Sequence, residues 1–151
     1  MILNKDKQID CIYILYYMIL LNKESTSKVV LTLSELVTID APAYFLFEVI
    51  SDDTKVSTFF TAEDISTNAC RYNEFDITLT GGATDPTIGL IDLELNGYYK
   101  YQIYQQADQF NLDPNQASGI IEYGKVYVKG ELKPATTSYT ENEENTYKAY
   151  Q

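Results

Sequence analysis

The chain has 151 residues, with 22 acidic against 11 basic side chains and a formal net charge of −11. That balance excludes a nucleic-acid binder, which needs a basic surface for phosphates, and a protein drawn to anionic membranes. Fourteen tyrosines stand beside no histidine and no tryptophan, so the commonest general base and metal ligand is absent. A chain of this length buries enough surface to fold as one domain without a metal or disulfide staple.

At the N-terminus, Cys11–Leu21 is an apolar run, well short of the ~20 residues a membrane-spanning helix needs. Asp6 and Asp10 dilute the basic region a signal peptide requires, and no small-residue cleavage site follows Leu21. Met1-Ile2-Leu3-Asn4-Lys5 is nearly repeated as Met18-Ile19-Leu20-Leu21-Asn22-Lys23. Two readings follow: residues 1–17 are an upstream extension before a start at Met18, or Ile9–Tyr17 adds a strand or helix. Cys11 and Cys70 are the two cysteines and read as a pair of buried thiols in a reducing compartment.

From Asn22 onward short β-branched and aromatic runs alternate with turn residues. Lys28–Leu33 is the first expected strand, with Ser25-Thr26-Ser27 as punctuation before it. Ser34–Asp40 fits a helical turn or a loop. Tyr44–Ile50 follows, with Phe45, Phe47 and Val49 inward. Ser51-Asp52-Asp53-Thr54 should turn it into a hairpin with Lys55–Thr61. Asp64–Arg71 is irregular, and Tyr72–Leu79 alternates with Phe75, Ile77 and Leu79 inward. Gly81–Pro86 is a loop.

Gly97–Gln106 is the strand around which the rest is arranged. Alternation puts Tyr99, Tyr101 and Ile103 on a core face and Tyr98, Lys100, Gln102 and Tyr104 on the other. Asn96-Gly97 is a hairpin signal, so Leu90–Leu95 is its expected antiparallel partner. The polar length of Ala107–Ser118 suggests a crossover between sheets. Ile120–Lys129 changes phase at Gly124, as a bulge does, with Ile121 and Tyr123 pointing one way before Val126 and Val128 take over. Tyr127 is outward, beside Lys125 and Lys129. Pro134–Glu144 is acidic and low in aliphatics, a flexible linker to a β-like Thr146–Gln151 arm. The whole reads as an all-β, antiparallel, Ig-like β-sandwich of about seven or eight strands over residues 18–133, with terminal arms 1–17 and 134–151.

No chemistry stands out. Serines have no histidine to activate them, and Cys70 has only Arg71 as a basic neighbour. Asp52-Asp53, Asp113 and Glu141-Glu143-Glu144 read as turn residues and a solvated tail, and nothing singles out a carboxylate pair. Neither a calcium loop nor a phosphate-binding glycine loop occurs, so no catalytic residue, metal or cofactor is expected. The tyrosines are the remaining signal. Tyr98, Tyr104 and Tyr127, with Lys100 and Gln102, are candidate interface residues, joined by Tyr147 and Tyr150 of the arm. Such a patch serves a protein interface or a sugar-stacking platform.

The segments Phe45-Leu46-Phe47-Glu48-Val49, Arg71-Tyr72-Asn73-Glu74-Phe75, Gly97–Gln106, Asn111-Leu112-Asp113-Pro114 and Glu122-Tyr123-Gly124-Lys125-Val126-Tyr127-Val128 occur in that order. The set resembles small β-sandwich virion proteins of crAss-like tailed phages that infect gut Bacteroidetes. The resemblance runs from about Met18 to Tyr147–Tyr150, and the stretch after Asn96 is its specific part. It implies a non-enzymatic, capsid-associated head-fibre or auxiliary capsid protein, found in the virion and assembled in the host cytoplasm. Its partners would be further copies of itself and other virion proteins. Residues 1–17 depart from the pattern, which favours the upstream-extension reading. A carbohydrate-binding module that recognises bacterial surface glycans through the same tyrosines is the alternative.

Overall fold

The structure, a computed structural model, describes residues 18–130. Eight strands follow in chain order: β1 (Met18–Asn22), β2 (Ser25–Leu31), β3 (Tyr44–Ser51), β4 (Ser57–Thr61), β5 (Asn73–Leu79), β6 (Leu90–Ile91), β7 (Gly97–Gln106) and β8 (Ile120–Lys129). They form a five-stranded sheet ordered β1-β8-β7-β3-β4 and a three-stranded sheet ordered β2-β5-β6. The inner faces enclose one core that includes Leu21, Leu33, Phe47, Phe60, Phe75, Ile77, Ile103 and Val128. Phe47 anchors its centre, stacked on Phe60 at 5.0 Å and meeting Phe75 edge-on at 5.0 Å. The expected all-β sandwich is what the chain forms.

The sheets are mixed rather than purely antiparallel. β1 runs parallel to β8, and β6 parallel to β5. The small sheet departs from the antiparallel Ig-like expectation: β6 follows its neighbour β5 in the chain and runs parallel to it.

Where local signals govern, expectation and structure agree. β3 and β4 form the expected hairpin, and Lys55 takes a left-handed conformation in its turn, with φ 61°. Phe45, Phe47 and Val49 point inward; Leu46 and Glu48, on the other face, are buried too, because β3 lies between β4 and β7. Phe75, Ile77 and Leu79 are inward as expected, and β2 begins at Ser25, so Ser25–Ser27 belong to the strand rather than precede it. Met18–Asn22 pairs along β8, a parallel contact that no adjacent turn announces.

Three expectations about β7 and β8 are overturned. Leu90–Leu95 is not the partner of Gly97–Gln106, which instead lies between β3 and β8. Gly97 is itself the first residue of β7, with φ 119°, and its neighbour Asn96 ends a passage from the small sheet to the large one. Buried Leu93 and a 2.7 Å hydrogen bond from the Tyr99 hydroxyl to the Leu95 carbonyl fix that passage.

Ala107–Ser118 is not a crossover either, because β7 and β8 are antiparallel neighbours in one sheet. The Gln106 amide clasps Asn111, donating to its carbonyl at 3.0 Å and accepting from its side chain at 2.9 Å. The Asp113 carboxylate accepts from the Asn115 N–H and caps a 3-10 turn over Pro114–Gln116, and the chain returns beside the strand it left.

The irregularity in β8 falls at Ile121, not at Gly124: Ile103 pairs with Glu122, whereas Tyr104 pairs with Ile120. Gly124 is regular and has another purpose. A Cβ there would lie 2.7 Å from Cε1 of Tyr101, the residue directly across the ladder. The ring occupies that space, and its hydroxyl donates to Glu122 Oε1 at 3.1 Å. Burial pushes both the Tyr101 phenol and the Glu122 carboxyl above their usual ranges. The proposed terminal segments 1–17 and 134–151 lie outside the described residues, as does Cys11.

Candidate functional site

The outer face of β1, β8 and β7 carries the candidate residues. Tyr98 and Tyr127 are direct cross-strand partners with ring centroids 5.0 Å apart and planes tilted by 55°. Tyr98 is 56% exposed. Leu20 extends this row, paired with Tyr127 on its other side and itself exposed. Three strands therefore present an apolar and aromatic band one residue deep, because each register puts the same phase outward.

The next row is charged. Lys100 and Lys125 face each other directly across β7 and β8, an arrangement that repels. Asp52, in the β3–β4 turn, relieves it with a 2.8 Å ion pair to Lys125. The hydrogen bond from Lys125 holds the Asp52 carboxyl below its usual range, with Lys100 and Lys55 adding to the effect. Gln102 lies in the third row, half-buried, between Tyr123 and Glu48.

Tyr104 shares the face but is not free to meet a partner. Its hydroxyl donates to Glu48 Oε2 at 2.7 Å, while Ser57 donates to Glu48 Oε1 at 2.7 Å. Burial, then the nearby Glu48 carboxylate, pushes the Tyr104 phenol up to about 12. This network satisfies a buried carboxylate and ties together β3, β4 and β7. Tyr98, Lys100, Gln102 and Tyr127 thus share one face, with Tyr104 in the row beyond Gln102. Tyr147 and Tyr150 lie outside the described residues.

Two contributors are absent from the sequence reading. Tyr123, expected to share a side with Ile121, projects outward and is 79% exposed. Counting back in twos from Val126 and Val128 would have placed it there. Leu20, with Met18 before it, stands on the outer face of a strand hidden within a longer apolar run.

Cys70 is exposed, not buried. It belongs to the irregular loop before β5, where Arg71 and Tyr72 hydrogen-bond back to the Asn68 carbonyl. That loop is instead anchored by Asn73, whose side chain accepts from the Leu33 and Ser34 N–H groups and donates to Asp64 at 2.7 Å. Among the described residues no group of three or more Asp, Glu, Cys or His is placed to hold a metal ion. No described helix is long and apolar enough to cross a membrane.

No family model and no curated protein matches the chain. A solved structure of a candidate glycoside hydrolase from Bacteroides vulgatus ATCC 8482 aligns with it at 8% identity and a TM-score of 0.41. The alignment covers 77% of this chain and 17% of that one. At that level of likeness it says nothing about what this chain binds or does.

Proposed function

We propose that the protein is a non-enzymatic structural component of a tailed-phage virion, associated with the capsid as a head fibre or auxiliary protein. It acts by self-association and by contact with other virion proteins. The observation that carries this reading is the outward Leu20–Tyr127–Tyr98 band, with exposed Tyr123 on the same face beyond the lysine row. Tyrosines offer large contact area at small entropic cost, and the lysine row gives the band a polar rim, as protein interfaces have. The ordered motifs that resemble crAss-like virion proteins supply the particular setting. Mass spectrometry of purified particles of the encoding phage tests it: the chain should be present in many copies per particle. Its absence from particles, with the chain present in infected cells, would refute the reading.

A second reading has one observation in its favour. The tilted Tyr98–Tyr127 pair lies beside Lys100, Lys125 and Asp52, an aromatic platform with hydrogen-bonding groups at its edge. Such a platform suits stacking on a sugar of the bacterial surface. Titration with capsular polysaccharide distinguishes the two, since glycan binding lost in Tyr98→Ala would favour the module.

A further inference from the structure

The two outer faces of the sandwich differ in charge. On β1, β7 and β8 the charged residues in the outward phase are Lys100, Lys125 and Lys129, and Asp52 reaches them through its ion pair with Lys125. On the opposite side β2 and β5 turn Lys28, Glu74 and Asp76 outward, because Val29, Phe75 and Ile77 take the core phase. Asp85 joins them, since it bridges to Leu90 of β6 and Leu90 pairs with outward Thr78. Lys28 is ion-paired with Glu74. One face therefore sets three lysines against one carboxylate, and the other sets three carboxylates against one lysine.

Both faces also expose apolar surface. The Leu20–Tyr127–Tyr98 band on the first has a counterpart on the second in Val30 and Ile88, which are 50% and 61% exposed. Apolar side chains set among charges of one sign suit a contact with a surface of the other sign.

The placement of the lysines decides between two ways of pairing copies. They flank the band on both sides along β8, with Lys125 two residues before Tyr127 and Lys129 two residues after it. A two-fold contact centred on the band turns Lys125 of one copy toward Lys129 of the other. Lysine then meets lysine, and the contact is opposed. The outer face of β2, β5 and β6 offers carboxylates instead, with Val30 and Ile88 for the tyrosines to cover.

We propose that the Leu20–Tyr127–Tyr98 face of one copy docks on the outer face of β2, β5 and β6 of a second copy, a head-to-tail contact between unlike surfaces. This contact rests on the self-association proposed above and gives it a direction. The two faces lie on opposite sides of the sandwich, so a docked pair still presents one face of each kind. Further copies add until a ring closes, or continue as a filament.

Two variants, each disabling one face, test the contact by light scattering at a concentration where the parent assembles. Tyr98→Ala/Lys100→Glu alters the first face and Asp76→Lys/Ile88→Lys the second. All four positions are exposed, and circular dichroism checks that both variants fold. Each variant alone should show the monomer mass. Their equimolar mixture should show twice that mass and no more, because each keeps the face that the other lacks. If Asp76→Lys/Ile88→Lys assembles as the parent does, the head-to-tail contact is overturned while self-association through the first face stands. A mixture that stays monomeric would also overturn it. A parent that is monomeric at every concentration would overturn this contact together with the self-association beneath it. If Asp76→Lys/Ile88→Lys does not fold, Ile88→Lys alone takes its place and is read in the same way.

Discussion

Gly124→Ala is a small change with a large expected consequence. The added methyl would sit 2.7 Å from Cε1 of Tyr101 and 2.9 Å from its Cζ and Oη. Carbon atoms in contact prefer about 3.5–4.0 Å, so the ring must retreat by about 0.8 Å or more. Tyr101 is 2% exposed and packed in the core, with its hydroxyl on Glu122, so it has little room to give. Forcing a methyl into such a site costs about 1–3 kcal/mol, and disturbing the hydrogen bond about 1 kcal/mol more. Replacing a strand glycine returns about 0.5–1 kcal/mol through the unfolded chain. The net is a destabilisation of about 2 kcal/mol, or a fall in Tm of roughly 4–8 °C for a chain of this size. Thermal unfolding followed by circular dichroism measures it. The double change with Tyr101→Leu should recover part of the loss, because the two sites are coupled through the same volume. If Gly124→Ala is as stable as the parent, the glycine does not make room for the ring and the packing argument is wrong.

Other consequences can be checked with the same material. Asn73→Ala leaves the Leu33 and Ser34 N–H groups without their acceptor and should cost about 3 kcal/mol in urea unfolding. Tyr98→Ala removes an exposed ring and should cost no more than about 1 kcal/mol of stability. The folded-state pKa of Glu122 is raised, so its contribution is fully present at pH below the ordinary carboxylate range and lost as pH rises through the raised value. Glu122→Gln keeps an acceptor for Tyr101 without that charge. It should therefore match the parent near pH 3 and be the more stable protein near pH 7, and a difference that grows on acidification would contradict the assignment.

What the sequence discloses and what it hides divide along the range of the interactions. Alternation over Tyr98–Ile103 sorts its side chains between core and surface, since a strand with one buried face needs only its own period; beyond it the outward phase is covered at Tyr104 and Gln106. The β3–β4 hairpin is legible because its turn lies between its strands. The partners of β7 are not, because β3 and β8 are remote in sequence and Asn96-Gly97 imitates a hairpin. Parallel pairs β1–β8 and β5–β6 have no connecting turn to announce them. Gly124 misleads because its reason lies in a ring on the next strand, and moving the phase change there hides Tyr123. Glu48 looks like a surface acid until Ser57 and Tyr104 arrive from neighbouring strands to satisfy it.

The proposed function requires that the outer face of β1, β8 and β7 be a surface that other protein covers. Multi-angle light scattering of the full chain, compared with Tyr98→Ala/Tyr127→Ala across a range of concentrations, tests that most directly. The predicted result is an oligomer for the parent and a shift toward the monomer mass for the variant, with its circular dichroism unchanged. A parent that is monomeric at every concentration, or a variant that assembles as well as the parent, would contradict it.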